Sequence, residues 1–172
     1  MIREGRCWVF GDNITGDGQI IPVKFVRELV FDRDILAPHC LEAMDPEFAS
    51  KCRSGDFIVA GKNFGRGNFH PQSHLAIIGL GLAVVAESIP RGFWRMGLSL
   101  GLPMVVCPGI TKDASNGDVI RVDFSKGTIT NVRNGAVAAG EKIPDELLAI
   151  VSAGGVLNYL AQEAAGNAPS AG

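Results

Sequence analysis

A glycine-rich stretch, GKNFGRGNFHPQS, follows the apolar run Phe57 to Ala60 and carries the side chains best suited to bind an anion. Glycines let backbone approach an anion closely, and cationic, amide, imidazole and hydroxyl groups donate hydrogen bonds to carboxylate or phosphate. The stretch matches neither the P-loop nor the dinucleotide-binding fingerprint. It therefore predicts either an anion site of another kind or a tight glycine turn with a solvated rim. The candidate donors are Lys62, Arg66, Asn68, His70, Gln72 and Ser73.

Histidines and loop carboxylates offer other chemistry. His70 and His74 stand four residues apart, the spacing of two metal ligands on one helix face. The proline between them is expected to place His70 ahead of the helix, and no third ligand is evident, so we predict no metal site. Asp12 and Asp17 lie in the loop GDNITGDGQIIP, where each either orients a functional side chain or fixes a local turn. His39 is interpreted as a packing or capping residue.

The cysteines are too scattered along the chain to hold a metal cluster. No two of them form a C-x-x-C pair, so neither a zinc site nor an iron-sulfur cluster is predicted on this chain. We interpret them as reduced packing residues. They are Cys7, Cys40, Cys52 and Cys107.

Length and composition favour one globular domain over residues 1–165. The chain has 172 residues, 47% of them hydrophobic and 20% charged, which excludes general disorder. Its longest apolar stretches are interrupted by glycine, proline or charge, so no membrane span is expected. A net charge of -2 without basic clusters argues against nucleic acid as a partner. The start MIREGRCWVF lacks an apolar signal segment, which predicts a cytoplasmic protein.

Between residues 57 and 107 apolar strands alternate with helical patterns. Strands are predicted at Phe57–Ala60, Ala83–Ala86 and Met104–Cys107, with helices at Pro71–Leu80 and Pro90–Leu100. Because all three strands are apolar throughout, they are expected to form a parallel layer covered by helices, as in α/β proteins. The other predicted elements are a strand at Gly5–Phe10, short helices within Ile35–Cys52, a hairpin around Lys126 and Gly127, a last helix at Asp145–Ala164 and a disordered tail at 166–172.

Three collinear motifs resemble the small subunit of 3-isopropylmalate dehydratase, the swivelling domain of the aconitase superfamily. GDNITGDGQIIP resembles the family's GDNIDTDQIIP with one extra residue. LEAMDPEFASKCRSGDFIVAGKNFGRG resembles its DPEF segment and GKNFGCG loop, and FWRMGLSLGLPMVV resembles its IFYRNAxNxGLPxx stretch. The resemblance covers about residues 5–165.

This resemblance implies a fold, a partner and a reaction. The fold is an aconitase swivelling-domain-like β/β/α fold with a partly parallel sheet covered by helices. The partner is a large subunit that holds a [4Fe-4S] cluster and completes the enzyme as a heterodimer or heterotetramer. The reaction is the reversible dehydration of a 2-hydroxy dicarboxylic acid, in which the iron acts as a Lewis acid on the hydroxyl.

The resemblance also assigns residues after the first loop. Asp17 takes the position of an aspartate that supports hydrogen bonding in the active site. Lys24 takes the position of a carboxylate-binding arginine and keeps its charge without the bidentate fork. Phe25 and Val26 keep an apolar wall, which suits a substrate with a small branched alkyl group.

The catalytic loop departs from the family pattern. The family reads GSSREH, with the first serine as base and the arginine as carboxylate ligand, where this chain has Gly67-Asn68-Phe69-His70-Pro71-Gln72. Asn68 stands in the base position, although an amide has no useful basicity. His70 stands where the arginine does. Two interpretations follow: either His70, or Ser73 if the loop shifts register, takes over acid-base work, or the chain has lost isopropylmalate chemistry. Gly67 and Phe69 are expected to contact substrate.

Three hypotheses follow from this mixture. The first is the small subunit of an aconitase-type hydro-lyase acting on a 3-isopropylmalate-like or related hydroxy acid, inactive without its large subunit. The second is a non-catalytic carboxylate-binding or regulatory module, suggested by the missing serine and arginine. The third is an oxoanion sensor that works without a partner.

Overall fold

Seven strands form one continuous sheet in the computed structural model, which describes residues 1–166. The tail predicted at 166–172 lies outside the described residues except for Gly166, which is in a turn. The strands are β1 (Ile2–Phe10), β2 (Phe57–Ala60), β3 (Ala83–Ala86), β4 (Met104–Val106), β5 (Val119–Asp123), β6 (Thr128–Asn131) and β7 (Val137–Ala139).

The sheet is half parallel and half antiparallel, with β1 at the junction. Its order is β4-β3-β2-β1-β5-β6-β7. The strands from β4 to β1 pair in parallel, with Cys7 opposite Phe57, whereas β1 pairs with β5 in the antiparallel sense. This arrangement confirms the partly parallel sheet expected from the sequence.

Strands β2 and β3 are buried along their whole length. Their sequences, FIVA and AVVA, contain no polar side chain, so both faces must be covered by other elements. The helices are α1 (Val23–Arg27), α2 (Arg33–Leu36), α3 (Phe48–Lys51), α4 (Pro71–Gly79), α5 (Arg91–Leu100), α6 (Ile110–Asp113), α7 (Asp145–Ser152) and α8 (Val156–Ala164), with a 3-10 turn at Ala37–His39.

The predicted alternation of strand and helix from residue 57 to 107 is confirmed. Helix α4 begins at Pro71, where a missing N–H costs nothing, and α5 ends at Gly101 in the left-handed conformation. The short helices predicted between residues 35 and 52 and the hairpin around Lys126 are also present.

The single C-terminal helix expected over residues 145–164 is wrong. The chain breaks into α7 and α8, whose axes differ by 91°. Gly154 and Gly155 both adopt positive φ, at +81° and +121°, and the left-handed Gly101 lies against their backbone, so the helix cannot continue there. No single helix within residues 1–166 is long and apolar enough to cross a membrane; α7 and α8 together pass that test of length and composition.

Candidate functional site

The loops that follow β1 and β2 interlock at the carboxyl edge of the parallel strands. Asn13 N donates to the carbonyl of Lys62 at 2.7 Å, and Gly65 N donates to the carbonyl of Ile14 at 2.8 Å. Ligands of parallel α/β sheets gather at this edge, where loops lead into helix N-termini. The two glycine-rich loops singled out in the sequence therefore form one surface.

Asp12 holds these loops together through backbone. Its Oδ1 accepts a hydrogen bond from Lys62 N at 2.7 Å. Residue 61 must be glycine, because a Cβ there would overlap the Asp12 carboxylate. Asp12 therefore joins the two loops, which differs from both roles that the sequence left open, the orientation of a functional side chain and the fixing of a local turn.

Asp17 and His70 form a hydrogen-bonded pair between the loops. His70 Nδ1 lies 2.7 Å from Asp17 Oδ2, and Asp17 N donates to the carbonyl of Asn68 at 3.1 Å. The Asp17 side chain is 12% exposed and that of His70 is 52% exposed. Since a carboxylate only accepts hydrogen bonds, this pairing assigns a proton to Nδ1, and in a neutral imidazole Nε2 is then the basic nitrogen.

Buried polar atoms without partners concentrate around this pair. Within residues 1–166, four buried side-chain atoms have no hydrogen bond: Asp17 Oδ1, Gln72 Oε1, Ser73 Oγ and His74 Nδ1. All belong to the Gly16–Ile20 turn or the start of α4. Buried polar groups are nearly always paired, so these four atoms are exceptions, and all lie on the two segments that carry Asp17 and His70.

The structure separates the two residues proposed for acid-base work. His70 is the N-cap of α4 and is exposed, whereas the side chain of Ser73 is fully buried within the first turn. Ser73 N donates to the carbonyl of His70 at 3.2 Å. Ser73 thus lies beneath His70 inside the protein, and it contacts the loop through its backbone N–H while its hydroxyl has no hydrogen bond.

Asn68 and Gly67 lie at the exposed tip of the loop, and Phe69 points back into the protein. The Phe69 ring contacts Phe93 at a centroid distance of 5.6 Å. Gly16 must be small, because a Cβ there would approach Phe69 Cβ to 2.7 Å. Phe69 therefore anchors the loop by packing, whereas Asn68 and Gly67 remain available to a ligand.

Three residues that follow the first glycine-rich loop were expected to bind substrate, and all three lie on α1. Lys24 is exposed, and its Nζ lies 4.7 Å from the centroid of the Phe25 ring. Phe25 is only 6% exposed and packs on His39 at 4.7 Å, so its ring belongs to the core. Val26 is half-buried against that core. Lys24 is the member of this group whose charged end is free to meet a carboxylate.

His39 has the packing role assigned from the sequence, with an added ion pair. Its Nδ1 lies 2.6 Å from Glu42 Oε2, and the two side chains are about one-third exposed. This pair has the same chemistry as the Asp17–His70 pair but lies outside the two glycine-rich loops. It therefore serves as an internal control.

His74 differs from His70 in every respect. It is fully buried, its Nε2 donates to the carbonyl of Phe93 at 3.0 Å, and its ring stacks on Phe93 at 4.0 Å. Burial lowers the pKa of His74 to about 4. The two histidines are therefore not a ligand pair on one helix face.

Buried His74 makes stability depend on pH. Because its folded pKa is lowered from 6.5 to about 4, the unfolded chain binds a proton that the folded chain rejects as the pH falls from 7 to 5. We expect His74 alone to cost about 2 kcal/mol of unfolding free energy over that interval. Urea unfolding at both pH values should show a smaller loss in His74→Gln. Protonation of His74 above pH 6 in an NMR titration would contradict this.

The cysteines of this chain do not form a cluster site. Cys7, Cys40 and Cys107 are buried, and burial raises the pKa of Cys52 to about 11. No group of three or more histidine, cysteine or acidic side chains capable of holding a metal occurs within residues 1–166. Thiols with raised pKa, spread over four elements, are a poor donor set for an iron-sulfur cluster.

Glu87 is a further polar residue beside the candidate site that was not singled out from the sequence. It follows β3 at the same carboxyl edge, and its Oε1 accepts a short hydrogen bond from Thr111 Oγ1. Neighbouring Ser88 accepts from Asn63 N at 2.8 Å and so ties this edge to the glycine-rich loop. The signal was available, because an acidic residue directly after the apolar run AVVA marks a strand end.

Comparisons with known proteins place this geometry in a family. No family model matches the chain. 3-Isopropylmalate dehydratase small subunit 1 of Methanopyrus kandleri is 41% identical over 163 residues, which cover 94% of each chain. The 2,3-dimethylmalate dehydratase small subunit of Eubacterium barkeri is 37% identical over 161 residues, 93% of this chain and 97% of that one.

A solved structure agrees with these relatives. The crystal structure of 3-isopropylmalate dehydratase from Methanocaldococcus jannaschii aligns with a TM-score of 0.85 at 34% identity and covers 96% of both chains. The chain belongs to the 3-isopropylmalate dehydratase small-subunit family. Membership confirms the resemblance carried by the three motifs and the swivelling-domain-like fold.

Proposed function

We propose that this chain is the small subunit of an aconitase-type hydro-lyase that reversibly dehydrates a 2-hydroxy dicarboxylic acid. The observation that carries the proposal is the Asp17–His70 pair, 2.7 Å apart, at the edge where the two glycine-rich loops meet. Relatives named for 3-isopropylmalate and for 2,3-dimethylmalate support a small branched hydroxy acid as substrate.

His70 is the proposed acid-base group. Dehydration removes a proton from the carbon next to the hydroxyl-bearing carbon, and hydration returns it. With Nδ1–H donated to Asp17, Nε2 of His70 accepts that proton, and the adjacent carboxylate stabilises the imidazolium that forms. Asn68, which stands in the position of the family's base, has an amide that cannot take this role. Its exposed side chain donates hydrogen bonds to substrate.

Two positively charged side chains of the candidate site suit a substrate with two carboxylates. Lys24 on α1 and Arg66 on the glycine-rich loop are both exposed. Among residues 1–166, neither cation forms an ion pair. We assign them to the substrate carboxylates, with Lys24 as a point charge and Arg66 as a planar fork.

We further propose that a large subunit holds the [4Fe-4S] cluster, in a heterodimer or heterotetramer. The poor donor set of this chain supports that division. The four free cysteines suit a reducing compartment, so the proposed location is the cytoplasm.

Anaerobic co-expression with cluster-bearing large subunits tests the proposed function. We expect a complex that dehydrates one member of a panel of 2-hydroxy diacids, while the isolated chain is inactive. A stable complex without turnover on any diacid would instead establish a regulatory module. Turnover by the isolated chain would contradict the proposal that catalysis requires the large subunit.

Asp17 is proposed as a positioning residue, and an isosteric change tests it. Asp17→Asn should lower kcat about tenfold or more, because an amide lets the His70 ring choose the wrong tautomer. The pH profile of kcat should also shift, which a merely structural role would not cause. Asp123→Asn, on the β5–β6 hairpin, is the matched control and should leave both unchanged. An unshifted profile in Asp17→Asn would contradict the assignment.

A further inference from the structure

A second cleft lies at the opposite edge of the sheet from the candidate site. It has a volume of about 380 Å³ and is lined by residues at the start of the four parallel strands and by Ile78 of α4 and Gly101 at the end of α5. The carboxyl edge of those strands carries Asp17 and His70, so this cleft at their amino edge is a separate place on the molecule. The residues that line this cleft include Arg3, Ser54, Gly55, Ile78, Leu82 and Pro103.

Arg3 enters this cleft from the buried side of the sheet. Along β1, Glu4 and Arg6 are exposed, whereas Arg3 and Cys7 lie on the other face, where Cys7 is fully buried. The cross-strand partner of Arg3 is Val122, which is also fully buried. Because side chains alternate along a strand, Arg3 occupies a position that the pattern reserves for an apolar residue.

The Arg3 guanidinium has no acidic partner within residues 1–166. Glu4 lines the same cleft, but its carboxylate is bound to Arg121 Nη2 at 2.7 Å. Burial lowers the pKa of Arg3, which reflects the cost of taking its charge out of water. A half-buried cation that nothing neutralises is expensive, and an anion bound in the cleft would offset that cost.

The other lining residues determine the size and polarity of the ligand that the cleft can hold. Gly55 adopts a φ of +96°, and a Cβ built there meets nothing within 4 Å, so it opens on free space. Ile78, Leu82 and Pro103 add an apolar wall, and exposed Ser54 offers a hydroxyl. One guanidinium neutralises one carboxylate, whereas a phosphate dianion would need a second cation.

We infer that this cleft binds a small aliphatic monocarboxylate, with its carboxylate on Arg3 and its alkyl group on the wall of Ile78, Leu82 and Pro103. The site is separate from the proposed acid-base pair, and it stands whether or not the proposed dehydration is correct. Its place at the other edge of the sheet, away from Asp17 and His70, suits a ligand other than the substrate.

Titration of the full chain with isovalerate, followed by ¹H-¹⁵N NMR, tests the inference. We expect saturable shifts at the amides of Ser54, Gly55 and Leu82. Arg3→Gln should weaken binding about tenfold or more, because it removes a charge-assisted hydrogen bond. Arg6→Gln, three residues along the same strand on the exposed face, is the matched control and should bind as the wild type does. Arg3→Lys keeps the charge and should give intermediate affinity if Arg3→Gln folds poorly.

Two further ligands separate carboxylate recognition from other causes. Isovaleramide, the neutral analogue, should bind more weakly than isovalerate because it lacks the charge. Inorganic phosphate should also bind more weakly. Equal affinity of wild type and Arg3→Gln, tighter binding of phosphate, or shifts centred on His70 instead of Gly55 would each overturn the assignment.

Discussion

Replacement of His70 by glutamine should abolish most turnover of the assembled enzyme. The Nε2 atom of His70 is the proposed proton acceptor, and glutamine keeps a similar length and polarity without basicity. General acid-base groups contribute about 10²- to 10⁴-fold to rate, so kcat should fall by that factor. The measurement is steady-state dehydration by the complex with its large subunit, with binding of the two subunits checked by gel filtration.

His39→Gln is the matched control for this experiment. His39 is also paired with a carboxylate, at 2.6 Å from Glu42, and is also partly exposed. If such histidine–carboxylate pairs contributed only to folding, the two variants would lower kcat to the same extent. We expect His39→Gln to retain wild-type kcat. A His70→Gln enzyme that keeps more than about a tenth of wild-type kcat would remove His70 from the mechanism.

Gly65→Ala should destabilise the protein strongly. Gly65 has a φ of +79°, and a Cβ there would lie inside the ring of fully buried Phe93, within 2.6 Å of Cδ1. A left-handed alanine costs about 1 kcal/mol and overpacking about 1 to 3 kcal/mol. We expect a loss of about 2 to 4 kcal/mol and a fall in Tm of about 10 °C, measured by calorimetry.

Gly11→Ala is the control for the glycine experiment. Gly11 follows β1, has no left-handed φ, and a Cβ there meets nothing within 4 Å. We expect its Tm to match that of the wild type. A Gly65→Ala protein as stable as Gly11→Ala would show that Phe93 can move aside without cost.

Local pattern was enough to predict the parallel half of the sheet. The runs FIVA, AVVA and MVV are apolar throughout, and each is separated from the next by a helix, so they require burial on both faces. The break at Gly154 was not predictable from propensity, because glycine costs a helix only about 1 kcal/mol per residue. What decides the break is the close approach of Gly101, a contact between segments far apart in sequence.

The sequence named candidate residues for the site but could not predict their arrangement. Asp17 and His70 were both candidates, yet 53 residues separate them, and only the pairing of β1 with β2 brings their loops together. Phe25 shows the opposite case. An aromatic residue in an amphipathic position looks the same in sequence whether it faces substrate or core, and here it packs on His39.

The central place of β1 in the sheet has a consequence for synthesis on the ribosome. One edge of β1 pairs with β2, about 50 residues later in the chain. Its other edge pairs with β5, in which Asp123 lies opposite Ile2. A nascent chain can therefore join the loops of Asp17 and His70 before β5 has left the ribosome exit tunnel. Until then the second edge of β1 has no partner strand, and an open edge invites aggregation. The antiparallel half thus acts, late in translation, as the element that closes this edge.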